Sequence, residues 1–185
     1  MEDLKQISPH FDEKTFCKWA YDVLVCVEKA WSLKDFNVLR RYETNELYQI
    51  HEHQLNNMKE RQIQNIMSQF ELLDSQIISY IREDNMDKIE MNVQLSLIDY
   101  FISLKDSRKI LGSQSQSRVV KYQIVFVKEE RIPFQQLIYF DLKECPYCGA
   151  PIDIYNYDYC EYCKQELKAE DTGFLIDKIE IMSLI

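Results

Sequence analysis

Apolar residues recur at helical spacing from residue 12 to about residue 31, where Phe16, Trp19, Ala20, Val23, Val27, Ala30 and Trp31 fall on one face. Asp12 stands where it can cap that helix, and Phe11 and Phe16 are placed as a hydrophobic staple. A turn at Ser32 to Lys34 leads into one or two helical turns at Asp35 to Leu39. Thr44 then caps a third helix running to about Glu60, with an inward stripe of Leu47, Ile50 or His51, Leu55 and Met58. From Ile63 the period changes to two. Phe70 to Ile81 is rich in Leu, Ile and Tyr, and Glu83-Asp84-Asn85 is turn chemistry. Lys88 to Ser103 sets Ile89, Met91, Val93, Leu95 and Leu97 against Glu90, Asn92, Gln94 and Ser96, so the pattern predicts a long antiparallel hairpin. After Leu97 the apolar positions move to Ile98, Tyr100 and Ile102, which implies a bulge or a stretch buried on both faces. Gly112 to Ser117 reads as a loop, Arg118 to Lys128 as a central strand, and Leu137 to Leu142 as an edge strand. Phe174 to Ile181 is too apolar for a tail and is expected to return and pair with Arg118 to Lys128. Helices first and antiparallel strands after them predict an α+β domain, with helices packed on one face of a curved sheet.

The division that follows is a polar lead-in over 1–11, a helix-on-sheet domain over 12–130 plus 172–185, and a connector with an inserted module over 131–171. That module holds Cys145-Pro146-Tyr147-Cys148-Gly149 and Cys160-Glu161-Tyr162-Cys163. Two Cys-x-x-Cys pairs at this separation can close one tetrahedral site, because each pair sits on a tight turn that aims both sulfurs at one point. Pro146 fixes φ inside the first turn, and Gly149 can take positive φ as the chain leaves it. Lys164 stands at the equivalent place in the second turn. The expected cofactor is therefore Zn2+ on Cys145, Cys148, Cys160 and Cys163. Four thiolates leave no position for water or substrate, so such a site is structural. Two disulfides are the alternative pairing; a redox Cys-x-x-Cys would account for one pair only.

With 46% hydrophobic and 12% aromatic residues, a chain of 185 can bury one good core plus a small appendage. It has no apolar run long enough to span a bilayer, and its first residues lack the basic and apolar blocks of a signal peptide. The expectation is a cytoplasmic protein, with Cys17 and Cys26 as buried apolar positions on a helix. The net charge of −9 becomes about −11 when four thiolates take up one Zn2+. This balance repels phosphate backbones, and no basic stripe is seen along the sequence, so no nucleic acid is expected as a partner. It suits a protein partner with a basic surface.

Candidate binding residues are the tyrosines around the cysteines, Tyr147, Tyr155, Tyr157, Tyr159 and Tyr162, which outnumber what a small module can bury. They form a docking surface, or they cover the knuckles and the adjoining sheet. Trp19 and Trp31 line a ligand pocket or belong to the core, and His51 is a core histidine or an acid/base group. Asp99 beside Tyr100 is the other acid/base candidate. No nucleophile-base motif, phosphate loop or paired-carboxylate signature accompanies them, and the expectation is that the protein is not an enzyme.

The segment Phe11 to Trp31 with its Trp-Ala and Ala-Trp pairs, then Leu39-Arg40-Arg41-Tyr42-Glu43-Thr44-Asn45-Glu46-Leu47-Tyr48, then the hairpin with Leu97-Ile98-Asp99-Tyr100, resembles the C-terminal domain of the peripheral subunit of the mitochondrial inner-membrane protein translocase and its bacterial relatives. The Cys-Pro-x-Cys-Gly-Ala-Pro and Cys-Glu-Tyr-Cys knuckles resemble those of some bacterial relatives, in which glycine is usual where Lys164 stands here. The resemblance covers nearly the whole chain from Phe11. It implies the cone-shaped fold of the nuclear transport factor two superfamily, helices closing a bent antiparallel sheet around a hydrophobic pocket. The closed cysteine site and the surplus tyrosines lead to the expectation of a non-enzymatic protein-binding or adaptor module, with two alternatives: a cone-fold enzyme with an acid/base residue in the pocket, and a peripheral membrane or lipid-binding domain.

Overall fold

Helix α1 spans Glu13–Leu33. It starts where Asp12 accepts a hydrogen bond from the Thr15 backbone N–H (2.7 Å), with the Phe11 and Phe16 rings 5.5 Å apart across the start. It runs two residues past Trp31 because the Ser32 hydroxyl bonds back to the Glu28 carbonyl (3.1 Å) and Lys34 closes the end in a left-handed conformation (φ 56°). The same hydroxyl accepts from the Met67 backbone N–H (3.0 Å), which ties the end of the helix to the sheet. Helices α2, Phe36–Tyr42, and α3, Asn45–Glu60, begin at Asp35 and Thr44, whose side chains accept from backbone N–H groups of the first turn. On α3, Leu47, Tyr48 and Leu55 are buried, and His51 rather than Ile50 takes the inward position; Ile50 is 55% exposed.

The computed structural model describes residues 4–7, 11–130, 148–151, 160, 162–164 and 173–184. Strands β1, Ile63–Glu83, and β2, Met86–Ser103, form the expected hairpin. Its two-residue turn places Asp84 and Asn85 at φ 52° and 61°, the conformation of a primed turn that follows the twist of the strands. Register shifts at Ser68/Glu71, Leu72/Asp74 and Ile77/Ser79 bend β1 over the helices. Ile89, Met91, Val93, Leu95 and Leu97 point inward and are fully buried.

Strand β3, Lys109–Gly112, lies where the sequence pattern offers no strand. It explains the change of phase after Leu97. Strand β4, Arg118–Glu129, pairs with β2 only as far as Leu97, and β3 takes over along Tyr100 to Ile102. Leu97 and Ile98 are both buried at that exchange of neighbours. Gly112 permits it, with φ 81° and so close an approach that a Cβ would collide with the Asp99 carbonyl oxygen and stand 2.8 Å from Tyr100 Cα. Strand β5, Leu175–Leu184, returns as expected to pair antiparallel with β4, so the sheet order is β1-β2-β4-β5 with β3 beside the end of β2. Leu137 to Leu142 lies outside the described residues.

The result is an α+β cone, three helices closing a curved antiparallel sheet. Its interior is filled by rings. Trp19 packs against Phe16 and Phe126 at 5.1 Å and against Phe174 at 6.3 Å. Each such pair contributes about 0.5–1.5 kcal/mol beyond its buried area. Cys17 and Cys26 are buried on α1, and burial raises the Cys17 thiol pKa, which keeps it unreactive. At the hairpin end Asp87, fully buried, accepts from Tyr80 Oη (2.7 Å), Arg82 Nε (2.7 Å) and Lys128 Nζ (2.8 Å).

Candidate functional site

The described residues of the two cysteine turns share one feature. Gly149 (φ 72°) and Lys164 (φ 60°) each follow the second cysteine of a pair and both adopt the left-handed conformation. In the second turn the Lys164 N–H reaches back to the Cys160 carbonyl (2.8 Å). A Cβ at Gly149 would meet nothing within 4 Å, so glycine serves conformation there and not space. Lysine holds the same conformation at a strain of about 1–2 kcal/mol. The turns bring Cys148, Cys160 and Cys163 together with their sulfurs all within 4.8 Å of one another, and the Cys148 and Cys160 sulfurs are 3.7 Å apart. These are three separate thiols, and close enough to bind one metal ion. Cys145 lies outside the described residues, as do Tyr147, Tyr155, Tyr157 and Tyr159. Tyr162 is 66% exposed.

A second cluster, of polar groups, lies beneath the helices. Glu28 is buried on α1, and burial pushes its carboxyl up to about 7, against the opposing hydrogen bond from Tyr122 and the charge of His51. Asp99 and Glu43 add to the upward push. Tyr122, on β4, is itself held neutral far above its usual range, first by burial and then by Glu28. His51 Nδ1 lies 2.7 Å from Glu43 Oε1, joining α3 to the end of α2, and its ring stands edge-on to Trp31 at 5.2 Å. Asp99 accepts from Asn65 Nδ2 (2.7 Å) and Arg118 Nη1 (3.1 Å). Glu43 Oε1 is taken by His51, while Glu43 Oε2 is buried with no hydrogen-bond partner among the described residues. Of the two tryptophans, Trp19 is enclosed in the ring cluster and Trp31 is half-buried at the His51 contact. The sequence reading found His51 and Asp99 and missed Glu28, Glu43 and Tyr122. A signal existed for Glu28, a lone acid on the apolar face between Val27 and Ala30.

The helices, the bent sheet and the ring-filled interior define a cone-fold α+β domain carrying a cysteine cluster. The Tim44-like domain family matches residues 1–136, and the chain belongs to that family. The matched stretch ends before Cys145, so both cysteine pairs lie outside it. Among solved structures, the crystal structure of the intermembrane space region of chloroplast protein ARC6 is similar at 10% identity and a TM-score of 0.46, covering 94% of this chain and 98% of that one. Comparison with curated proteins finds no match.

Proposed function

We propose that this Tim44-like domain is a non-enzymatic, protein-binding adaptor whose cysteine turns are held by a structural Zn2+. The observation that carries the adaptor reading is the interior: Phe16, Trp19, Phe126 and Phe174 fill the space under the helices that a substrate would need. His51 is paired with Glu43, and Asp99 with Asn65 and Arg118, so both acid/base candidates are engaged in hydrogen bonds within the fold. The division into a cone over 12–130 plus 172–185 and a ribbon over 131–171 accords with the pairing of β4 and β5, which flank the insertion.

Zinc is supported by distance. Four thiolates at about 2.3 Å from a tetrahedral ion stand about 3.8 Å apart, and Cys148 and Cys160 are separated by 3.7 Å. Cys145 would supply the fourth sulfur beside Cys148, Cys160 and Cys163. The ion supplies charge to hold the thiolates together and no catalytic chemistry, since a closed site has no place for water. Tyr162, exposed on the second turn, offers an aromatic contact to a partner. Thiols kept for metal are also the usual state in a cytoplasm.

Metal analysis of the purified protein is expected to return one Zn2+ per chain, and Cys160→Ser to lower this below about half an equivalent. The adaptor reading is tested by affinity capture from the native host, with the zinc-loaded protein as bait. At least one protein is expected to be enriched about tenfold over a charge-matched control, with Tyr162→Ala weakening its capture. No enriched protein would overturn the reading.

A further inference from the structure

The end of the molecule where α1 and α3 stop carries the opposite sign from the rest of the chain. Lys34 Nζ donates to the Ile63 carbonyl (3.1 Å), the Leu104 N–H to the Gln62 carbonyl (2.8 Å) and the Ser103 N–H to the Arg108 carbonyl (2.9 Å). These bonds set the end of α1, the α3–β1 turn and the β2–β3 turn side by side. The segments that meet there supply Lys34, Lys59, Arg61, Lys105, Arg108 and Lys109, against only Asp35, Glu60 and Asp106, on a chain of net charge −9. Three of the cations, Lys34, Lys59 and Arg61, answer to the helices, since a helix end leaves carbonyls with partial negative charge that basic side chains offset. Lys105, Arg108 and Lys109 belong to the β2–β3 turn and answer to neither. Apolar side chains stand among them in solvent: Leu33 is 76% exposed, Leu111 63%, Ile110 49% and Leu104 48%. Scattered apolar exposure is ordinary; here four exposed apolar residues come from the same segments as the cations.

Strand β3 adds a feature of a different kind. All four of its residues are exposed, and among the described residues it pairs with β2 alone. Among the described residues its other edge is left to present backbone donors and acceptors beside Ile110 and Leu111.

We propose that the open edge of β3 and its basic rim dock an extended acidic segment of a partner protein. The segment adds as a strand beside Lys109–Gly112, sets its alternate apolar side chains on the face of Ile110, and turns its carboxylates to the opposite face, that of Lys109, and to Lys105 and Arg108 at the turn, where Asp106 is 3.8 Å from Arg108. Charge complementarity selects an acidic occupant, and the open ladder selects a peptide over a lipid surface, because headgroups supply phosphates but no row of amides. This rests on the adaptor reading and names its surface; the chain's overall negative charge would steer basic partners to other faces.

The experiment displays a library of random 12-residue peptides to the full-length protein and measures binding of the enriched peptides. Enriched sequences are expected to alternate Asp or Glu with aliphatic residues and to perturb the amide signals of Lys109 to Gly112. Their affinity is expected to fall at least tenfold in a Lys105→Glu, Arg108→Glu, Lys109→Glu variant and several-fold between 50 and 500 mM salt, as screening requires. Gly112→Val, which drives β3 off β2 without changing charge, is expected to abolish binding as well, with circular dichroism checking that the rest of the fold survives. Peptides that are basic, or that perturb other faces, would sink this surface and leave the adaptor reading standing. Binding instead to phosphatidylcholine vesicles containing phosphatidylglycerol, uncompeted by peptide and lost in the charge-reversed variant, would overturn the proposal in favour of a membrane. No enriched peptide together with no captured host protein would remove both readings.

Discussion

Replacing Asp87 with alanine is expected to destabilise the protein by about 3–5 kcal/mol, the range for breaking one partner out of a buried ion pair. The Asp87 side chain is fully enclosed, and so, to within 1%, is that of Lys128. Truncation takes the enclosed carboxylate from the Lys128 ammonium, which keeps the Glu129 carbonyl at 3.1 Å, and removes the Asp87 Oδ1 to which the Tyr80 hydroxyl and Arg82 Nε both donate at 2.7 Å. Arg82 retains Glu130 at 3.3 Å, a half-exposed contact that offsets little. Guanidinium unfolding should show the loss as a lower midpoint with an unchanged slope. The double variant Asp87→Leu, Lys128→Met is expected to be more stable than Asp87→Ala alone, because apolar replacement of both partners removes the enclosed charge. If Asp87→Ala costs less than about 1 kcal/mol, the network is not what holds the hairpin end to β4.

The pH dependence of this loss has a definite sign. Burial alone would raise the Asp87 pKa, but the hydrogen bonds from Arg82, Lys128 and Tyr80 outweigh it and leave the carboxyl below its ordinary value of 3.8. A carboxylate with a depressed folded pKa contributes stability above its unfolded pKa and loses it as pH falls through the folded value. The gap between wild type and Asp87→Ala should therefore be constant near neutrality and close only in acid, below about pH 4.

Glu28→Gln is expected to give the second large effect, in the opposite direction of pH. Glu28 has a folded pKa of about 7 against an ordinary 4.5. A raised carboxyl contributes fully below the unfolded pKa and loses that contribution as pH rises through the folded one. Relative to Glu28→Gln, the wild type should lose about 3 kcal/mol between pH 4.5 and 7 and stay level above that, since each pKa unit is worth about 1.4 kcal/mol. Chemical denaturation at half-unit pH steps would read the curve. Tyr122→Phe is expected to extend the sloping region to higher pH, because the Tyr122 hydrogen bond lowers the Glu28 pKa. A flat difference between pH 4.5 and 7 would mean that Glu28 is hydrated and charged in the folded state.

Glu28 and Asp87 also mark where sequence reasoning stops. Glu28 interrupts an apolar helix face, and Lys128 follows Val127 in a buried strand run, so each looked like an ordinary polar residue at the margin of an apolar pattern. Their partners, Tyr122 for Glu28 and Asp87 for Lys128, come from other strands. Hydropathy along one segment carries no information about which charge will face it across the core. Strand β3 was invisible for a related reason: its four exposed residues alternate with no buried face, and it exists because β2 continues beyond the end of β4.

The order of residues by itself determined whatever is decided within a few positions. Asp12, Asp35 and Thr44 cap their helices because the bonded N–H groups lie two or three residues on, and Asp84-Asn85 turns the hairpin because both tolerate positive φ. The second cysteine turn belongs with these, since its closing bond runs from the Lys164 N–H to the Cys160 carbonyl four positions back. Only the tertiary structure decided that His51 meets Glu43, that Trp19 is core, that β3 joins the end of β2, and that cations from separate turns share one end of the molecule. Those outcomes depend on which surfaces find each other after chain segments far apart in order have packed, and burial free energy, being without direction, is settled only there.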